Sequence, residues 1–376
     1  MLSIGCSGMS GVVHPPKLCS RYIHTSPRNK KRQMTTNSPT TYQRILQATR
    51  EGDLENLRSI IAAAGSTLHW ADCKYKKSGD TPLHVAAREG HLHVLRFLCE
   101  ECPGVNPEVS NLDGKRPLHE AAQAGRPDVV LYLLSRGVDV DPLKRADWTP
   151  LMLACTRSGP STLETVRSLL AAGADPRLRN KDGWTALHVA AREGDPVVAR
   201  CLLAAAPTLA TATSRNGRTP LHTAALHARG AVVELLLAAG CPPDPLDSCG
   251  FTPLLEAVRS GDVALVQLLA LRGASLVRVD ASGRGGVHLA AQAGRLPMLT
   301  FLVARCGLPV DGCAGSGMSP LHCAAREGQV LAVKRLLKLG ADATARDEQG
   351  RTVPSMASGS YRDEILHILC KYGAKN

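Results

Sequence analysis

A motif of Thr-Pro-Leu-His followed by two alanines recurs along most of this chain at nearly constant spacing. Its leucine, or a valine in the same slot, stands at Leu83, Leu118, Leu151, Leu187, Leu221, Leu254, Val287, Leu321 and Val353. The successive spacings are 35, 33, 36, 34, 33, 33, 34 and 32 residues. A repeat of this length is a unit that cannot bury its apolar face alone, so the units must stack on their neighbours. The period therefore overrides the two or three domains that 376 residues would otherwise suggest.

The copy GDTPLHVAAREGHLHVLRFLCEE, which starts at Gly79, predicts two short helices. Thr81 is a good N-cap, and Pro82 suits the first helical position, where its missing N–H costs nothing. Gly90 is expected to end this helix, because glycine readily adopts the left-handed conformation found at helix C-termini. Apolar residues at helical spacing then predict a second helix, which ends before a polar hairpin that contains glycine.

The combination of a period near 33 residues with the TPLHxAA core resembles the ankyrin-repeat family over residues 42–374. The resemblance implies an all-α solenoid of about ten helix-turn-helix repeats joined by hairpin loops. The segments YQRILQATREGDLENLRSIIAAAG and RTVPSMASGSYRDEILHILCKYGAKN keep the two-helix pattern but lose part of the motif. We expect them to be degenerate terminal caps, and we assign residues 39–376 to the repeat domain.

Six motif histidines, one per repeat, are candidates for metal binding or for structural hydrogen bonds. They are His84, His119, His188, His222, His288 and His322. Neighbouring copies stand a full repeat apart and cannot converge on one ion, so hydrogen bonds within and between repeats are the expected role. The thirteen cysteines show no disulfide spacing, and the single Cys-x-x-Cys, Cys99 with Cys102, has no second pair. We expect reduced, mostly buried thiols in an intracellular compartment, no metal and no cofactor.

The net charge of +12 is concentrated at the start of the chain. Residues 1–50 hold eight Lys or Arg and no Asp or Glu, which leaves +4 for the remaining 326 residues. The body is therefore not expected to bind nucleic acid directly. No apolar run approaches the roughly eighteen residues of a membrane span, and no phosphate loop or nucleophile elbow is present. These features favour a monomeric binding protein over a membrane protein or an enzyme.

Residues 1–38 form a basic leader that we expect to be disordered. Residues 1–33 are acid-free, hydroxyl-bearing and cationic, as mitochondrial presequences are, whereas PRNKKR is typical of a nuclear import patch. Pro15 and Pro16 oppose the amphipathic helix that a presequence prefers. We expect a cytoplasmic and nuclear protein, with mitochondrial import through residues 1–33 as the alternative.

A basic column beside two tryptophans is the candidate binding surface. Superposed copies place Arg145, Lys181 and Arg215 in one slot of three successive repeats, and Trp148 and Trp184 in the slot before the capping threonine. Exposed Trp and Arg dominate binding hot spots. The predicted partner-binding residues are Arg145, Trp148, Arg177, Arg179, Trp184, Arg215 and Arg218. The alternative is that each tryptophan covers a neighbouring hairpin and that the cations are a solvated surface.

Five segments that the repeat consensus does not dictate resemble a subfamily of ankyrin-repeat co-regulators of alanyl-tRNA synthetase. They are KRPLHEAA, LKRADWTPLMLACTR, NKDGW, REGDP and RTPLHTAALH, between Lys115 and His227. The resemblance implies binding to the catalytic domain of that synthetase. It also implies that lysine side chains accept wrongly activated serine, which keeps serine from reaching tRNA for alanine. The alternative is a general ankyrin scaffold with an unknown partner.

The acceptor lysines of that subfamily are only partly present in this chain. Lys181, in NKDGW, matches one acceptor position. Arg145 replaces the acceptor lysine in LKRADW and leaves Lys144 as the nearest amine, while a third position holds Thr211. A neutral amine attacks a seryl adenylate to leave an amide and AMP, and nearby cations favour the neutral form. Such a protein is consumed rather than turned over, so we expect an acceptor and not an enzyme.

Overall fold

A computed structural model describes residues 40–65 and 68–374, and the predicted leader, residues 1–38, lies outside this part. Within the described part, ten repeats contribute two α-helices each. The first helices are α1 Thr41–Glu51, α3 Pro82–Glu89, α5 Pro117–Ala124, α7 Pro150–Ala154, α9 Ala186–Glu193, α11 Pro220–Leu226, α13 Pro253–Ser260, α15 Gly286–Gln292, α17 Pro320–Arg326 and α19 Val353–Met356. The second helices are α2 Leu54–Ala64, α4 Leu92–Glu100, α6 Pro127–Ser135, α8 Pro160–Ala171, α10 Pro196–Ala205, α12 Gly230–Ala238, α14 Val263–Leu271, α16 Leu296–Thr300, α18 Val330–Lys338 and α20 Arg362–Lys371. The prediction of an all-α repeat array is confirmed.

The repeats stack in two layers of helices. Each first helix packs against the first helix of the next repeat, from α1 through α19, and most second helices pack against each other in the same order. The motif leucines, such as Leu187, are fully buried between the layers, and so are alanine pairs such as Ala190 and Ala191. Burial of one leucine side chain contributes about 1.5–3 kcal/mol, while the small alanines let neighbouring helices approach closely.

Each motif histidine links its own repeat to the next one. In the fifth repeat, the backbone N–H of Thr185 donates to His188 Nδ1 over 3.2 Å, and His188 Nε2–H donates to the carbonyl of Arg218 over 2.9 Å. A carbonyl can only accept, so Nε2 carries the proton of the neutral ring. The six carbonyls bonded in this way belong to Lys115, Trp148, Arg218, Phe251, Met318 and Arg351. The predicted structural role of these histidines is confirmed.

The terminal repeats differ from the others as the sequence predicts. Helix α1 follows a capping box formed by Thr40 and Gln43, and α19 has only one turn, Val353–Met356. Two irregular helices depart from the simple two-helix unit. A 3₁₀ helix spans Pro207–Thr211 after α10, and a π-helical turn spans Phe301–Arg305 after α16.

The eleven cysteines in the described part of the chain are all free thiols. Five are buried, three are half-buried, and the exposed ones are Cys249, Cys313 and Cys370. Burial raises the pKa of Cys102 to about 11, which makes this thiol of the Cys-x-x-Cys pair a poor nucleophile and metal ligand. Across residues 40–65 and 68–374, no three His, Cys, Asp or Glu side chains stand close enough to hold a metal ion. None of the helices in these two ranges is both long and apolar enough to cross a membrane.

Candidate functional site

Most hairpins that precede a first helix are closed by backbone bonds and by one polar side chain. In the fifth repeat, the Asn180 N–H donates to the Trp184 carbonyl over 3.0 Å, and the Gly183 N–H donates to the Asn180 carbonyl over 2.8 Å. The Asn180 side-chain oxygen accepts from the N–H groups of Asp182 and Trp184, both at 2.9 Å. An Asn or Asp at the first hairpin position therefore replaces the water that these N–H groups would otherwise need.

The hairpins of successive repeats are joined by one backbone bond each, and we call this row the hairpin ladder. The N–H of Arg145 donates to Asp113, that of Lys181 to Ala146 and that of Arg215 to Asp182, over 2.9 to 3.0 Å. Arg145, Lys181 and Arg215 therefore stand on consecutive rungs, and we call them the basic rungs. This is the register that superposition of the sequence copies predicts.

The fourth hairpin, Lys144 to Trp148, departs from the pattern of the others. Lys144 stands where most hairpins have an accepting side chain, and an ammonium group cannot accept a hydrogen bond. Ala146 and Asp147 both adopt left-handed backbone conformations, with φ of 64° and 60°. In the next hairpin Gly183 alone does so, at φ 77°. Because an L-residue in this region costs about 1–2 kcal/mol, the fourth hairpin is strained.

Replacing Ala146 by glycine is expected to stabilise the protein by about 1 kcal/mol, since the left-handed conformation is unstrained for glycine. Asp182 occupies the same position in the next hairpin but has an ordinary backbone conformation. Asp182→Gly is therefore expected to destabilise by about 0.5–1 kcal/mol. Urea denaturation of both variants checks the pair. Equal shifts of the same sign would contradict the strain that we assign to the fourth hairpin.

The two tryptophans lie half-buried against the core rather than fully exposed on the surface. Lys144 Nζ lies 6.0 Å from the Trp148 ring centre. The cation above Trp184 is Arg192, at 5.7 Å, which stands at the end of α9 and not on a hairpin. Phe251 occupies the same slot two repeats later and stacks with Arg259 at 5.5 Å. Sequence reasoning missed Arg192 and Phe251, although an arginine eight residues after an aromatic recurs in both copies.

The two candidate acceptor lysines have different surroundings. The Lys144 side chain is 15% exposed, and its Nζ lies 3.3 Å from Asp113 Oδ2. Lys181 is exposed and forms no ion pair with any residue of the described part. The two amines are therefore not equivalent, although the sequence offers both as acceptors.

Arg218 is engaged in ion pairs between repeats. Its Nη2 lies 2.6 Å from Glu256 Oε1, and its Nε lies 3.2 Å from Asp247 Oδ2. Both carboxylates are almost completely buried, and Arg259 approaches the other oxygen of Glu256 at 2.7 Å. Burial raises the pKa of the Glu256 carboxyl, while the two arginines favour its ionised form. Arg218 thus links its repeat to the next one. The sequence predicted only a partner-binding role for this residue, which stays a prediction.

The two arginines of the incoming loop also have partners within the chain. Arg177 Nη1 lies 3.5 Å from Asp175 Oδ1. Arg179 donates to the carbonyls of Gly183 and Thr213, and so braces the next repeat. Both side chains stay largely exposed, and their predicted role in partner binding remains a prediction.

A groove of about 630 Å³ lies between the hairpins and the first helices of repeats two to four. Arg145 and Asp113 from the hairpin ladder line it, together with the exposed Arg157 and the buried Glu120. Lys115 Nζ lies 3.1 Å from Glu120 Oε1, so this carboxylate is paired inside the chain. Arg157 forms no ion pair with the residues that the structure describes, which leaves a cation available at the groove.

Comparison with known proteins agrees with this architecture. A family profile described as ankyrin repeats in three copies matches residues 45–144, 151–247, 201–280, 227–312 and 287–376. The chain belongs to the ankyrin-repeat family. This ankyrin-repeat chain is 32% identical over 250 residues to the B-cell lymphoma 3 protein homolog of Mus musculus, which covers 65% of the chain and 47% of the relative.

A second relative shares more of the chain at lower identity. The E3 ubiquitin-protein ligase KEG of Arabidopsis thaliana is 26% identical over 353 residues, which is 89% of this ankyrin-repeat chain and 21% of the relative. The chain thus spans less than half of the length of either protein. The shared part is the repeat array, and ankyrin arrays present surfaces for protein partners.

Proposed function

We propose that this protein binds the catalytic domain of alanyl-tRNA synthetase through the basic rungs and accepts misactivated serine on Lys181. The segments between Lys115 and His227 that resemble ankyrin repeat domain-containing protein 16 support the proposal. The observation that carries it is the exposed Lys181 amine, which is free of ion pairs within the described part and stands between two other cationic rungs.

The strained fourth hairpin adds support for a binding role of this region. Lys144, Ala146 and Asp147 depart from residues that would close the hairpin without strain. Local rules are broken in folded proteins most often where function requires it. The neighbouring rung, Arg145, is 76% exposed, so a partner can reach its side chain despite the ion pair with Asp113.

The proposed reaction is acyl transfer from a mixed anhydride. The neutral Lys181 amine attacks the carbonyl carbon of seryl adenylate, and the new C–N bond forms as the bond from that carbon to the phosphate oxygen breaks. AMP leaves with the electron pair, and the amine releases one proton to solvent. The amide product is stable, so each lysine acts once. Arg145 and Arg215, the flanking rungs, are placed to attract the adenylate phosphate or an acidic partner surface.

Incubation with alanyl-tRNA synthetase, ATP and serine is expected to add one seryl residue at Lys181. Intact-mass measurement and peptide mapping check this result. The Lys181→Arg variant keeps the positive charge and should lose most of the addition, because a guanidinium does not form a stable amide. Lys338→Arg is a matched control, since Lys338 is an exposed lysine at the end of α18, away from the hairpins.

Two results would contradict the proposal at different levels. Co-purification of the two proteins without any seryl addition would reduce the function to synthetase binding. Addition that persists in Lys181→Arg, or that occurs without the synthetase, would show that the acceptor or the source of serine is wrong.

The second candidate function is that of a scaffold for another acidic partner. The groove lined by Arg145 and Arg157 favours it, because Arg157 forms no ion pair in the described part and Arg145, although paired with Asp113, keeps a largely exposed side chain that a carboxylate-bearing segment can reach. Absence of co-purification with the synthetase, together with salt-sensitive binding of a different acidic protein, would support this alternative.

A further inference from the structure

The fourth and fifth hairpins each carry one lysine, but at different positions of the turn. Lys181 occupies the rung position, the second residue of its hairpin, whereas Lys144 occupies the first. The rung of the fourth hairpin is Arg145, whose side chain is 76% exposed against 15% for Lys144. A shift by one residue along the hairpin therefore moves the amine from the surface into a half-buried site against Trp148.

The carboxylate of Asp113, from the preceding hairpin, lies next to the Lys144 ammonium in this half-buried site. Its Oδ2 lies 3.3 Å from Lys144 Nζ, and its Oδ1 lies 3.5 Å from Arg145 Nε. Its backbone carbonyl also accepts the rung bond from Arg145 at 2.9 Å, which fixes the position of the carboxylate. One carboxylate therefore holds both cations of the fourth hairpin.

The fifth and sixth hairpins lack this arrangement. Asp182 occupies the position of Asp113 in its hairpin, and its carbonyl accepts the rung bond from Arg215 over 2.9 Å. Its side chain forms no ion pair with any residue that the structure describes. The first residue of the sixth hairpin is Ser214, so no ammonium is available there. In the hairpin before Lys181, the position of Asp113 is held by Ala146, whose carbonyl accepts the rung bond from Lys181 over 3.0 Å. Alanine has no carboxylate, so the Lys181 amine has no counterpart of the Asp113 ion pair among the described residues.

We propose that Asp113 selects the acceptor of this protein by holding Lys144 in an ion pair, which leaves Lys181 as the reactive amine. Either lysine must lose a proton before its amine can attack an acyl carbon, but Lys144 must in addition leave Asp113. An ion pair of about 1 kcal/mol reduces the free population about fivefold. This inference rests on the proposed function only for the identity of the acyl donor.

Acylation by N-hydroxysuccinimidyl acetate tests the inference without the synthetase. In the unsubstituted 376-residue chain, peptide mass spectrometry should show Lys144 acetylated more slowly than Lys181. Asp113→Asn should increase the rate at Lys144 about fivefold and leave Lys181 unchanged. Asp182→Asn is the matched control, because it removes a carboxylate at the same hairpin position without releasing a lysine. An unchanged rate at Lys144 in Asp113→Asn would overturn the proposed selection.

The same variants separate this inference from the proposed function. With synthetase, ATP and serine, Asp113→Asn should acquire a second seryl residue at Lys144. Faster acetylation of Lys144 without serine capture at either lysine would leave the selection intact and refute serine capture. Serine capture at both lysines of the unchanged protein would overturn the selection and leave serine capture standing.

Discussion

Lowering the pH from 7 to 4.5 is expected to remove about 5 kcal/mol from the free energy of unfolding, through two buried histidines alone. Burial lowers the pKa of His119 and of His188 to about 4, against 6.5 for a histidine in solvent. Burial also lowers the pKa of the other four motif histidines, His84, His222, His288 and His322. Protonation at Nδ1 would also oppose the backbone N–H that donates to it.

The free energy of unfolding falls as the pH falls, because the unfolded state binds more protons than the folded state in this range. Between pH 6.5 and about 4 the unfolded chain holds protons on His119 and His188 that the folded chain excludes. The stabilisation is therefore complete above pH 6.5 and is lost as the pH falls through this window. The Glu256 carboxyl acts in the opposite direction, because burial raises its pKa and the folded state then binds the extra proton.

Urea denaturation at half-unit steps between pH 7.5 and 4.5 measures this loss. Gln cannot protonate in this range, so His119→Gln combined with His188→Gln should flatten the profile, although the variant is less stable at pH 7. A free energy of unfolding that stays constant from pH 7 to 5 in the unchanged protein would show that the motif histidines do not control acid stability.

The second large effect is expected for Arg218→Ala, which should destabilise the protein by about 2–3 kcal/mol. The substitution leaves the Asp247 side chain, 2% exposed, without its cation and removes one of the two arginines that hold Glu256. Removal of one partner of a buried ion pair is costly because the remaining charge stays desolvated. The expected loss of stability is small for a broken buried ion pair, because Arg259 still holds Glu256 and the Arg218 side chain is 28% exposed.

Thermal and urea denaturation of matched variants check this prediction. Arg215→Ala removes a neighbouring exposed cation without ion pairs in the described part, and it should change stability by less than about 0.5 kcal/mol. Arg218→Ala with Glu256→Leu should recover part of the loss, since Leu153 and Leu289 fill the same slot in other repeats. Equal effects of Arg218→Ala and Arg215→Ala would refute the structural role and return Arg218 to the binding surface.

The register of the hairpins could be predicted because it depends on local chemistry that recurs. Superposition of the copies placed Arg145, Lys181 and Arg215 in one slot, and each donates its backbone N–H to the preceding hairpin. Side-chain partners could not be predicted in the same way. Trp184 stacks with Arg192 rather than with a hairpin cation, because the end of α9 and the hairpin meet only after folding.

The sequence by itself determined the number of repeats, the caps, the hydrogen-bonding role of the histidines and the positions of the rungs. These features depend on residues within one repeat or at one fixed offset between repeats, and the period of the motif repeats them along the chain. Only the tertiary structure decided which cations are free. Asp113 and Lys144, or Arg218 and Glu256, come from different repeats, and their pairing depends on side-chain reach across the stacked surface. A lysine or arginine at a hairpin thus forms an ion pair or stays unpaired according to whether a neighbouring repeat places a carboxylate within its reach.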